Sequence, residues 1–260
     1  MDAKQQADSI NAALADDIPQ IEQAPSTIVE LMRGIFNKET NSWETTAVVR
    51  ELNGFDEEAL AALDSKNLVY AEYMSTLLKR AVLSIGDTPV KENPSMIDNL
   101  IIGDRDLLFL GVVEATYGKI REYVVPCGTC NASNDVNVSL DEFERKTVDF
   151  DLQAPIMAEL TDGTILNFRL PTGSDSQAVA KRAKTTAEQN TLMLARCLEE
   201  PSIKNAMDWS KGLSLRDRTN ILRQLLDNQP GPQIGEVEAQ CATCGDDLKL
   251  VLDWASLLFG

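Results

Sequence analysis

The sequence predicts an α+β fold in which helices alternate with β-hairpins, and two Cys-x-x-Cys knuckles form a split zinc-ribbon-like module. Three observations carry this reading. Alternating apolar runs separated by turn residues mark hairpins, as at Ile156–Leu160 and Thr164–Leu170 around Thr161-Asp162-Gly163. Helical periodicity recurs between such runs, as in Tyr70, Met74, Leu77 or Leu78, and Ala81. Cys127-Gly128-Thr129-Cys130 and Cys241-Ala242-Thr243-Cys244 each lie between strand-like segments, which is how zinc ribbons present their thiols.

Composition narrows the function. The 260 residues, 43% of them apolar, suffice for one or two domains with a real core. Histidine is absent, so no Ser-His-Asp or Cys-His nucleophile, imidazole base or His-containing metal site is available. A formal charge of −17 repels phosphate backbones and anionic membranes, which argues against nucleic-acid and membrane partners. The longest apolar run, Leu107–Val113, stops at Glu114, far short of a membrane span. The N-terminus lacks the pattern of a secretory signal, so five cysteines are expected in a reducing compartment, where clustered thiols bind metal.

In chain order, residues 1–42 read as an acidic extended N-terminal arm. Residues 1–30 carry six acidic groups against one lysine, and Pro19 and Pro25 interrupt any helix. The arm is expected to be a mobile tail, or to order by laying Ile18, Ile21, Ile28, Val29 and Leu31 on a neighbouring subunit. Residues 43–118 read as a mixed α/β region: a strand over Thr45–Leu52, a helix from Phe55, a helix over Tyr70–Leu83, and a helix from Gly103 to near Gly118. Residues 119–260 read as the two knuckle hairpins with an intervening hairpin and a helical insertion, including one long helix from Ser176 to Leu198 that Pro201 ends.

Two stretches repeat one pattern. Gly103-Asp104-Arg105-Asp106 opens a helix that leads through a strand to the first knuckle, and Leu215-Arg216-Asp217-Arg218 opens a helix that leads to the second. Arg105 precedes Cys127 by 22 residues, and Arg218 precedes Cys241 by 23. Duplicated units packed about a pseudo-twofold axis would bring the knuckles face to face across a gap of 110 residues. Cys127, Cys130, Cys241 and Cys244 would then hold one structural zinc per chain, with no open position for catalysis. Reduced structural thiols and a redox pair are the alternatives; the latter requires a Cys-x-x-Cys at a helix N-terminus, whereas both pairs sit in hairpins.

Other candidates are weaker. Cys197 falls on an apolar helical stripe and reads as core. The basic run Lys181-Arg182-Ala183-Lys184 reads as a solvated face, and Arg105 and Arg218 as structural ion pairs. Asp141, Glu142, Glu144, Asp149 and Asp151 match no cation-loop spacing, and Trp43, Trp209 and Trp254 are too scattered to stack bases.

One family shares these motifs in this order. Val49-Arg50-Glu51-Leu52 with Phe55-Asp56-Glu57-Glu58, then Gly103–Leu108 with Ala115-Thr116-Tyr117-Gly118, the first cysteine pair, Leu213–Arg218 with Gly231-Pro232, and the second pair resemble the baseplate hub and baseplate assembly proteins of T-even-type contractile-tailed phages. The resemblance spans about residues 45–255. It implies a non-enzymatic structural or assembly subunit of the baseplate hub, present in several copies in the virion tail and assembled in the host cytoplasm. Its partners would be other hub, tail, spike or tape-measure proteins. A zinc-ribbon adaptor of transcription or processing machinery is the alternative.

Overall fold

The computed structural model describes residues 26–64 and 70–259. The chain opens with strands β1 (Ser26–Asn37) and β2 (Ser42–Arg50), an antiparallel hairpin with a bulge between Glu30 and Ile35. Helices α1 (Gly54–Asp64) and α2 (Tyr70–Ala81) follow, and β3 (Val82–Ile85) and β4 (Thr88–Pro89) complete a sheet ordered β1-β2-β3-β4. Next come α3 (Ser95–Asn99) and the long α4 (Ile102–Tyr117), which packs across β1 and β2. Strands β5 (Ile120–Pro126) and β6 (Ser133–Ser139) then form the first knuckle hairpin.

The second half repeats this order in smaller form. After a short β7 (Arg145–Lys146), β8 (Ile156–Glu159) and β9 (Ile165–Phe168) pair as a hairpin. Helices α5 (Gly173–Arg182), α6 (Thr186–Cys197), α7 (Ala206–Gly212) and α8 (Leu215–Asp227) follow. Strand β10 (Gly231–Pro232) pairs with β7, β11 (Glu236–Gln240) with β12 (Asp247–Val251) makes the second knuckle hairpin, and α9 (Trp254–Phe259) ends the described chain.

The described residues form two apolar cores. One gathers the first hairpin, α2, α4, both knuckle hairpins and α9; Tyr73 against Trp254 ties the last helix to α2. The other is built from β8, β9, α6 and α8 around Phe168, Leu194, Ile221 and Leu225. Among the described residues no helix is long and apolar enough to cross a membrane.

Three expectations change. The arm expected over residues 1–42 gives way at Ser26 to β1, and Val29 and Leu31 are buried in the chain's own core rather than left for a neighbour. The β1–β2 pairing satisfies backbone groups that an extended arm would leave to water. Residues 1–25, with Ile18 and Ile21, lie outside the described residues. The single helix expected from Ser176 to Leu198 is two helices, because Thr185 and Glu188 form a capping box that starts a new helix. The helix expected to reach Leu83 stops at Ala81, where the chain leaves to pair with β2.

Candidate metal centre

Each knuckle is made by the same backbone hydrogen bonds. Cys127 N donates to Ala132 O (2.9 Å) and Asn131 N to Cys127 O (3.0 Å); Cys241 N donates to Asp246 O and Gly245 N to Cys241 O (both 2.8 Å). A turn this tight needs a left-handed residue after the second cysteine, and Asn131 (φ 59°) and Gly245 (φ 75°) are types that tolerate it.

The two knuckles face each other. Cys127 Sγ lies 3.6 Å from Cys244 Sγ, Cys130 Sγ lies 3.7 Å from Cys241 Sγ, and all four sulfurs fall within 4.8 Å of one another. Sulfurs bound tetrahedrally at about 2.3 Å from zinc are about 3.8 Å apart, whereas a disulfide brings them to about 2 Å. The observed spacing therefore fits four ligands around one ion. The first cysteine of each knuckle faces the second of the other, as a local twofold exchange of the knuckles requires. Ala242 N donates to Asn134 Oδ1 (3.0 Å), and the Thr129 hydroxyl donates to the Asp246 carboxylate, so the knuckles are also joined directly.

The electrostatics favour a cation. The Cys244 and Thr243 amides point at Cys241 and draw its thiol down to about 6. The Asp246 amide favours a thiolate at Cys244, but the crowding of Cys130 and the other sulfurs drives that thiol up to about 12. Four thiols this close do not all ionise unaided, and a divalent ion at their centre removes the repulsion. Four sulfur ligands would close the coordination sphere to water.

The other sequence candidates lie away from this cluster. Cys197 is buried against Met193, and burial pushes its thiol up to about 12. Lys181 pairs with Glu72 (2.5 Å), and Asp141 with Lys119 (3.1 Å). Among the described residues, the four cysteines are the group placed to hold a metal. Trp43 meets Phe36, Trp209 meets Phe168 and Trp254 meets Tyr70 and Tyr73, in separate parts of the fold. Arg105 and Arg218 act less as ion pairs than as hydrogen-bond anchors: Arg105 reaches Ile97 O and Ser75 Oγ, and Arg218 reaches Ser210 O and Thr191 Oγ1.

The duplication extends upstream of the pattern that the sequence displays. Asp56 receives Arg50 Nη1 (2.6 Å), Arg80 Nε (2.8 Å) and the Asn53 amide (3.1 Å). Asp175 receives Arg169 Nη1 (2.5 Å), Arg196 Nε (2.7 Å) and the Thr172 amide (2.8 Å). In both, the first arginine also donates to the main-chain oxygen of the second. Burial opposes charge on each aspartate, but the arginine and amide hydrogen bonds outweigh it and hold both carboxyls below the usual carboxylate range. These clamps were not read from the sequence. The available signal was an arginine six residues before an aspartate in each half, and the second arginines lie 24 and 21 residues further on.

Asp104 and Asp217 complete the correspondence, each starting a helix and holding the hairpin of its own half. Asp104 accepts from the Met32 and Gly34 amides (2.6 and 2.8 Å), and Asp217 from the Thr161 amide and hydroxyl (both 2.9 Å).

No curated protein and no solved structure matches the chain. The family model described as T4 bacteriophage base plate protein matches residues 32–259, from within β1 to the end of α9, and the chain belongs to that family.

Proposed function

We propose that this chain is a structural or assembly subunit of the baseplate hub of a contractile-tailed phage, working through protein contacts and stiffened by one zinc ion on Cys127, Cys130, Cys241 and Cys244. The observation that carries the reading is the set of four sulfurs at tetrahedral spacing, supplied in pairs by two halves of a baseplate-family chain. A closed thiolate site supplies rigidity rather than a reactive position. The acidic surface suits neighbours with basic patches among the other hub, tail, spike or tape-measure proteins. The protein would act by assembly without turnover, forming in the host cytoplasm and residing in the tail baseplate.

A cryo-EM map of the source particle tests the role. Density for this chain at the central hub is expected, together with defective or missing baseplates when the chain is absent. Normal infectious tails made without it would exclude the hub role.

A further inference from the structure

The two halves differ at one matching surface. In the first half, the groove between α2 and α3 is filled by α5 of the second. Gln177 Nε2 donates to Ser75 Oγ (2.6 Å) and Asp98 Oδ1 (2.7 Å), and the Gly173 amide donates to Leu100 O (3.1 Å). Under this cover Leu100 is 0% and Arg105 3% exposed. The fit is close enough that a Cβ on Gly173 would strike the Arg105 guanidinium.

The second half has the same groove, formed by α6, α7 and α8, with Thr191 in place of Ser75, Lys211 in place of Asp98 and Arg218 in place of Arg105. Both arginines fix the alignment, since each reaches a carbonyl eight residues back, and Asp98 and Lys211 directly follow those carbonyls. Among the described residues no element fills it. It is instead a cavity of about 660 Å³ lined by Thr191, Leu192, Met207, Lys211 and Leu215, and Leu215 is 81% exposed.

The helix equivalent to α5 is α1, because each begins with a glycine two residues before its clamp aspartate. Two residues beyond that aspartate, α5 carries Gln177 and α1 carries Glu58, which is exposed. The pair that seats the helix thus changes from Gln177 with Asp98 to Glu58 with Lys211, so both members change together and remain complementary. Gly54 is the second sign. Gly173 is held to glycine by Arg105, whereas a Cβ on Gly54 meets nothing within 4 Å in its own chain. Seated on another copy, Gly54 would lie against that copy's Arg218.

We propose that the groove of α6, α7 and α8 is a socket for helix α1 of a second copy of this chain, so that copies join head to tail. Such a contact is heterologous and propagates into a ring or a filament. It goes beyond the hub reading and depends on neither the metal nor the place of the protein in the tail.

Sedimentation velocity of the full-length protein over a micromolar concentration series tests it. Self-association that grows with concentration is expected. Glu58→Lys and Lys211→Glu, both at exposed positions, should each weaken it by roughly tenfold or more, because each sets like charges together. At every contact between unlike variants the charges at positions 58 and 211 are again opposite, so a 1:1 mixture should recover the concentration-dependent growth that each variant alone has lost. Gly54→Leu should leave the thermal midpoint unchanged yet block association. A monomeric wild-type protein would overturn the proposal and leave the baseplate role untouched. So would association that all three variants retain, or a groove that takes only a helix of a different tail protein.

Discussion

Arg105 and Arg218 hold the same place in the two halves of the chain. Arg105 Nη1 reaches Ile97 O (3.0 Å) and Nη2 reaches Ser75 Oγ (2.8 Å); Arg218 Nη1 reaches Ser210 O (2.5 Å) and Nη2 reaches Thr191 Oγ1 (2.9 Å). Each ties the start of a long helix to the two helices before it. The chain is therefore two copies of a hairpin, helices and knuckle, joined at their knuckles and by α5.

The clamps should have equal weight. Asp56→Ala and Asp175→Ala each leave two arginines facing one another without their shared carboxylate, and each should cost about 3 kcal/mol in urea unfolding. A several-fold difference between the two would show that the halves are not energetically equivalent.

Acidity should act in two separate windows. Asp56 and Asp175 bind protons less readily in the folded chain, so their contribution is complete above about pH 4 and is lost as pH falls through their lowered values. Asp106 behaves oppositely: burial, partly offset by Arg105, raises its carboxyl to about 7. Its contribution is full below about pH 4 and is lost as pH rises toward 7. Asp106→Asn should lessen the fall in stability between those limits, leaving the share due to Asp104, whose carboxyl burial also raises, as thermal melts across pH would show.

Elemental analysis of purified protein should find one zinc per chain. Zinc binding in small modules is worth on the order of 10 kcal/mol, so Cys127→Ser or Cys244→Ser should release the metal and increase hydrogen exchange across both knuckle hairpins. Cys197→Ser should retain the metal and cost far less. Two ions per chain, or none, would contradict the four-sulfur site.

Much of the fold was legible because its signals are local. The Asp162-Gly163 turn fixed the β8–β9 hairpin, and the apolar stripe of α2 placed that helix to within two residues. The cysteine pairs were legible for the same reason, since a two-residue spacer dictates the turn that brings two sulfurs together. The break between α5 and α6 was missed because continuous helical periodicity concealed the Thr185 and Glu188 cap. The arm was misjudged because acidic composition outweighed the short apolar run that β1 buries.

By itself the sequence determined the element types, the four candidate ligands, the absence of imidazole chemistry and the hint of repetition from Arg105 and Arg218. Tertiary structure alone decided that Arg50 with Arg80 and Arg169 with Arg196 close on single aspartates, and that α5 covers one groove while its twin stays open, whereas the meeting of the knuckles already followed from the repeat. The reason is physical. Turns and periodic stripes follow from bonds between near neighbours, whereas the second arginine of each clamp lies 24 or 21 positions from its aspartate and Gln177 lies 102 positions from Ser75, so these arrangements exist only once distant elements have packed.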